Sequence, residues 1–163
     1  MTKKRAFSKK RNRFNTSYYK RQVIDENTKH FQVKKWISEI LKEFSFNVFV
    51  EYTHPLLVPK YSFECPLRNL DKPKPYTLDI LAYNEQIGQI ITLEVNGPYH
   101  YRAKQIQKDE NRKYVIIEWV KKCFSHLIEW KCSKWIHKHV ALSRDDIYKG
   151  FLDYEGVISL IGL

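Results

Sequence analysis

Two carboxylates stand where a strand pattern calls for apolar side chains: Asp79 within Thr-Leu-Asp-Ile-Leu, and Glu94 within Ile-Ile-Thr-Leu-Glu-Val. The runs that carry them, residues 76–83 and 89–95, are rich in β-branched and aromatic residues, and Asn84-Glu85-Gln86-Ile87-Gly88 between them predicts a β-hairpin. A hairpin centred between Gln86 and Ile87 puts Asp79 opposite Glu94, with Cβ atoms about 4.5–5.5 Å apart. Two ionised carboxylates that close in a poorly solvated place repel, so the pair requires a cation or a shared proton. Mg²⁺ or Mn²⁺ suits it, because such ions take one or two protein carboxylates, keep several waters and accept phosphate oxygens. The inference rests on register: a slip of one residue turns Glu94 to the opposite face.

The elements that must position this pair follow from periodicity. Phe31, Val33, Trp36, Ile37, Ile40, Leu41 and Phe44 recur at helical spacing and predict an amphipathic helix over residues 28–44. A half-buried strand over residues 47–53 follows. Five of the six prolines then fall between His54 and Tyr76, which excludes a regular helix and marks a long loop that either binds something or is an insertion. After the hairpin, Ile116, Val120, Cys123 and Phe124 mark the buried stripe of a second helix, with Asp109 and Arg112 on that stripe as it nears the sheet. Lys104, Lys108 and Arg112 form an i, i+4, i+8 column at the same end. A strand at residues 126–130 is expected to return to the sheet, and residues 131–163 read as a C-terminal helical extension, with Ser143 and Asp146 an imperfect capping pair. The expected class is therefore α/β: a small mixed sheet of about four strands flanked by helices, in the order α-β-β-β-α-β, with its core over residues 28–130 of a single domain spanning 23–163.

The succession of Asp79, Glu94 and helix resembles the core of PD-(D/E)XK nucleases, the restriction-endonuclease-like fold. Glu94-Val95-Asn96-Gly97-Pro98-Tyr99-His100 is similar to the Glu-x-Asp-Gly-x-x-His segment of very-short-patch-repair-like nucleases. It is closer still to the Glu-Val-Asp-Gly-Pro-x-His segment of RAP domains, RNA-associated relatives of that fold, and Leu127-Ile128-Glu129-Trp130 looks like the end of such a domain. The resemblance implies phosphodiester hydrolysis, with Asp79, Glu94 and the Val95 carbonyl holding Mg²⁺ or Mn²⁺, and a Lys stabilising the developing negative charge. Many members of that superfamily carry this Lys two residues after the Glu; here the position is Asn96, and the nearer relatives have Asp there. Lys104 or Lys108 is then expected to substitute from the helix, and His100 to act on the water or leaving group. Glu39 and Glu51 are lesser acidic candidates. The expected activity is a metal-dependent nuclease acting on DNA or RNA. The alternative is a RAP-like RNA-binding protein or ribonucleoprotein component that has lost catalysis, as the missing Lys suggests.

Charge adds a second feature. Of the 29 basic residues, nine lie in the first 22 (Lys3, Lys4, Arg5, Lys9, Lys10, Arg11, Arg13, Lys20 and Arg21), with no acid among them. The remaining 141 residues are nearly balanced, so the net +11 belongs mostly to an N-terminal arm. Phe7, Phe14, Tyr18 and Tyr19 interleave with its charges, a composition suited to phosphates and sugars or bases, as well as to a solvated tail or a targeting segment. Arg112 joins this set of expected nucleic-acid contacts. No apolar run is long enough to span a bilayer, and the N-terminus is too charged for a secretory signal. Three cysteines without a CxxC pair suggest an intracellular, reducing compartment, with nuclear, nucleoid and organellar locations equally compatible. Cys123, His126, Cys132, His137 and His139 match no common zinc spacing, and Trp119, Trp130 and Trp135 are expected to be core residues. Nucleic acid is the expected partner, with a homodimer or a ribonucleoprotein assembly also open.

Overall fold

Nothing between Asn15 and Glu43 interrupts a helix: the stretch has neither Pro nor Gly, and α1 occupies all of it (Asn15–Glu43). The computed structural model describes residues 15–58, 75–98 and 103–163, with side chains from Thr28 onward. α1 thus starts well before the apolar stripe that predicted it over 28–44; of that stripe Val33, Ile37, Ile40 and Leu41 are buried, whereas Phe31 and Phe44 are exposed. Lys20 and Arg21 of the basic segment lie within α1, while Lys3, Lys4, Arg5, Lys9, Lys10, Arg11 and Arg13 lie outside the described residues.

The helix ends in a Schellman turn. Ser45 takes a left-handed φ of 67°, the Phe46 amide donates to the Leu41 carbonyl at 3.1 Å and the Ser45 amide to Lys42 at 3.0 Å. Phe46 is buried directly after this reversal, which sets the chain into β1 (Asn47–Thr53).

β2 (Thr77–Asn84) and β3 (Gln89–Asn96) form the expected hairpin, followed by α2 (Ala103–Lys122), a 3₁₀ turn (Phe124–Leu127), β4 (Ile136–Ser143), α3 (Arg144–Tyr148) and α4 (Tyr154–Ile161). The sheet order is β1-β2-β3-β4, antiparallel across the first two pairs and parallel between β3 and β4. A parallel pair requires a long crossover, and α2 provides it. The fold is α/β, with a mixed four-stranded sheet flanked by helices. The chain divides into two units, Met1–Lys35 and Trp36–Leu163. All four strands and the core cluster belong to the second unit.

One strand is not where the sequence suggests. Residues 126–130 lie in and after the 3₁₀ turn, with Leu127 66 % exposed. The Lys131 amide reaches the Glu85 carbonyl of the hairpin turn, and only at Ile136, which donates to the Gly88 carbonyl at 2.8 Å, does a true ladder begin. Eight residue pairs with β3 follow. A strand parallel to β3 has to start at the hairpin end, so residues 126–130 serve to carry the chain there. The extension over 131–163 therefore opens with a strand, and its helices are confined to residues 144–161. Ser143 does cap α3, accepting from the Asp146 amide at 3.3 Å.

Val115, Ile116, Trp119 and Val120 of α2 pack with Leu57, Leu78, Leu81, Ile90 and Phe124 as one apolar cluster. The helix buries only this second half, whereas Ala103, Lys104, Ile106 and Lys108 are exposed. The Pro-rich segment begins and ends on that core: Leu57 is fully buried and its carbonyl accepts from the Tyr76 amide at 2.8 Å, while residues 59–74 lie outside the described residues.

Candidate active site

The hairpin register is the one that faces Asp79 towards Glu94. Pairing runs from Asn84↔Gln89 to Ile80↔Leu93, and the next step in the same register is Asp79 with Glu94. At that step the regular ladder stops. The Asp79 carboxylate accepts the Val95 amide at 2.7 Å. On the other side of β2 the ladder also skips one step, between Val50↔Ile80 and Tyr52↔Leu78, where Glu51 adopts a φ of 54°. The break changes which way side chains face: Leu78 and Leu81, three residues apart, join the same core cluster, which strict alternation would forbid. Asp79 thus sits on a kink in the sheet.

Glu94 is nearly buried, with 13 % of its side chain exposed. Burial pushes its carboxyl up to about 7; the Arg112 guanidinium pulls it down, the charge of Asp79 pushes it up again, and the Asp79 backbone amide and a hydrogen bond from Arg112 hold it down further. Arg112 Nε lies 2.8 Å from Glu94 Oε1. Glu94 Oε2 is buried among the described residues with no hydrogen-bond donor. Arg112 also donates to the Thr77 carbonyl and sits over the Tyr76 ring, 4.9 Å from its centroid. The arginine expected to meet nucleic acid is therefore engaged with the carboxylate itself.

A cleft of about 250 Å³ opens in front of Glu94, lined among others by Asn96, Asp109, Arg112, Lys113 and His139. Asn96, two residues from Glu94, lines it as the sequence led one to expect. Lys104 and Lys108 do not line it; both are exposed nearer the start of α2, and Lys113 lines it instead. His100 lies outside the described residues. Glu39 is exposed on α1, and Glu51 is exposed at the kink of β1.

Lys113 and His139 are functional candidates that sequence reasoning missed. Lys113 follows Asp109 by one helical turn, and Asp109 itself lines the cleft, so the i, i+4 spacing was the available signal. His139 belongs to β4, whose alternation of His137, His139 and Ala141 was obscured by assigning the strand elsewhere. In the parallel register His139 lies beside Thr92 and Ala141 beside Glu94. The fully buried Thr92 hydroxyl is 2.7 Å from His137 Nε2 and 2.9 Å from His139 Nδ1. Burial lowers both imidazoles to about 4.

Among the described residues no group of three or more His, Cys, Asp or Glu is arranged to hold a metal ion. Two carboxylates, one with an unpartnered buried oxygen, nevertheless suit a hard cation that takes few protein ligands and keeps its waters. Cys123 and Cys132 are free thiols, and Cys132 donates to the Lys134 carbonyl. Among the described residues no helix is long and apolar enough to cross a membrane. Comparison with protein-family models, with curated proteins and with solved structures finds no match.

Proposed function

We propose that the protein is a metal-dependent nuclease that hydrolyses phosphodiester bonds in DNA or RNA. One observation carries this reading: a buried Glu94 with an unpartnered oxygen, next to Asp79 on a kinked strand, at the head of a cleft that also holds Arg112 and Lys113. An enclosed carboxylate pair is costly to maintain unless a cation uses it. Asp79 and Glu94 would hold Mg²⁺ or Mn²⁺, which when bound lowers the pKa of a coordinated water and polarises a phosphoryl oxygen.

The remaining roles belong to the chain's own groups. Lys113 places a positive charge in the cleft where negative charge develops on the phosphorane, an effect of ~3 kcal/mol at other oxyanion sites. Arg112 balances Glu94 from one side and contributes to the same field. Asn96 offers a carbonyl and an amide that orient a water, taking the position of the Lys the resemblance would supply. The basic residues of the first 22 hold the polyanion through counterion release.

The test is a cleavage assay with single-stranded, duplex and branched DNA and with RNA, with and without Mg²⁺ or Mn²⁺. Asp79→Ala and Glu94→Ala should each lower cleavage by at least ~10²-fold while binding persists. Full activity in Glu94→Ala would overturn the mechanism. A second reading, nucleic-acid binding without catalysis, is favoured by Asn96 and by the direct Arg112–Glu94 pair. It predicts salt-sensitive binding and no cleavage with any divalent ion.

A further inference from the structure

A second cavity, of about 310 Å³, continues from the first between α2 and β4, and the two share Lys113 and His139. Its other lining residues are Ile117, Lys121, Trp135 and His137. None of these serves the carboxylate pair, and their chemistry is of a different kind. The Trp135 indole is backed by Trp130, with ring centroids 6.2 Å apart and planes within 10°. The Trp130 indole is anchored in turn by donating to the Ser125 carbonyl at 3.1 Å. This produces a rigid aromatic platform. Ile117 adds apolar surface, and Lys113 and Lys121 place positive charge along one wall.

The two imidazoles complete the cavity with a defined polar edge. A hydroxyl has one proton to donate, and Thr92 Oγ1 is within hydrogen-bonding distance of both His137 Nε2 and His139 Nδ1. Thr92 therefore donates to one ring and accepts from the other, or accepts from both. With both rings neutral, as their lowered values require above about pH 4, the nitrogens left over, His137 Nδ1 and His139 Nε2, are one donor and one acceptor in the first case and two acceptors in the second, so at least one acceptor remains. Thr92 is the only hydrogen-bond partner of either ring among the described residues. Two imidazole nitrogens with at least one acceptor between them suit the Watson–Crick edge of a nucleobase, on which donors and acceptors alternate.

We propose that this cavity receives one unpaired nucleobase of the strand whose phosphate enters the Glu94 cleft, so that the substrate is single-stranded or carries an extruded nucleotide. Trp135 stacks on the base, the two histidines meet its hydrogen-bonding edge, and Lys113, common to both cavities, sits against the connecting phosphate. The proposal rests on the nuclease reading for what lies in the adjoining cleft, but its own test needs no cleavage.

Fluorescence anisotropy in EDTA, with the full-length chain, would compare a twelve-nucleotide single strand, as DNA and as RNA, with the same strand carrying one abasic site moved along its length. The expected result is a loss of about tenfold at one register, in either polymer, and weaker binding of the blunt duplex. Trp135→Leu should erase that register-specific loss and Trp135→Phe should keep it, with folding checked by circular dichroism; Lys121→Glu, on the exposed face of α2, should weaken every single strand. Losses below twofold at all registers, or unchanged discrimination in folded Trp135→Leu, would overturn the proposal. Mn²⁺-dependent cleavage is measured in parallel: a register effect without cleavage upholds the cavity and removes the nuclease, whereas cleavage without a register effect removes the cavity alone.

Discussion

Glu94 titrates near neutrality because burial opposes its charge more than Arg112 favours it. Its folded value, about 7, lies above the ordinary 4.5, so over that window the native state holds a proton that the unfolded chain has lost. The contribution to stability is greatest below the window and declines as pH rises through it. Only the ionised carboxylate holds a cation, so the affinity for Mg²⁺ or Mn²⁺ should rise with pH up to about 7, as a metal titration at several pH values would show. Asp79→Asn removes a repelling charge and should shift the Glu94 titration towards acid; Arg112→Gln should shift it towards base. Carboxyl-carbon NMR of labelled Glu measures both shifts, and an unmoved titration in either variant would separate the residues' electrostatics. The histidine pair behaves in the opposite sense. Folded values near 4, below the ordinary 6.5, keep both rings neutral while the unfolded chain binds protons, so stability should fall as pH drops from 6.5 to 4. Urea titrations at pH 7 and 4.5 in a Glu94→Gln background isolate this effect, and His137→Gln/His139→Gln should flatten it.

The elements are tied together at the hairpin turn. Gly88 has a φ of 70°, and a Cβ there would collide with the Lys134 carbonyl and approach Cys132 Sγ to 2.7 Å. The same residue accepts the Ile136 amide that starts the β3–β4 ladder. Gly88→Ala should therefore destabilise the fold by about 2 kcal/mol or more, combining strain with a displaced strand start, as a urea midpoint would show. Ile116, fully buried where α2 meets the sheet, is the corresponding test of packing. Ile116→Ala should cost about 2–5 kcal/mol, and because it loosens the half of α2 that positions Arg112 and Lys113, cleavage should fall even where the protein remains folded. The hairpin was legible in the sequence because its turn and its two β-branched and aromatic runs are adjacent. The last strand was not, since Leu127-Ile128-Glu129-Trp130 and residues 136–143 both carry strand-like residues. What separates them is where a parallel partner of β3 must begin.

Across the whole chain, charge and chemistry occupy different places. The first 22 residues supply nine basic side chains, whereas the acids that matter are in the sheet. Because α1 begins at Asn15, deleting residues 1–14 removes seven of those basic groups and leaves the helix whole. The truncated protein should bind nucleic acid more weakly, with a shallower dependence of log K on log salt, and should retain metal-dependent cleavage. Filter binding over a range of salt concentrations checks the first, and the cleavage assay checks the second. Loss of cleavage at saturating protein would place part of the arm in the reaction itself.

The sequence by itself determined the fold class, the hairpin with its register, and the placing of Asp79 and Glu94 at neighbouring positions of adjacent strands, because those depend on local composition and on contacts between neighbouring strands. Arg112 was legible as a residue near the sheet, from its place on the stripe of α2. Only the tertiary structure decided that Arg112 pairs with Glu94, that Lys113 rather than Lys104 or Lys108 lines the cleft, and that His137 and His139 share Thr92. Those depend on the lateral position of α2 and β4 against β3, which a 39-residue separation from Asn96 to Trp135 leaves unspecified. Such contacts are fixed by how the buried stripe of α2 settles on the sheet, and that packing has no one-dimensional period to reveal it.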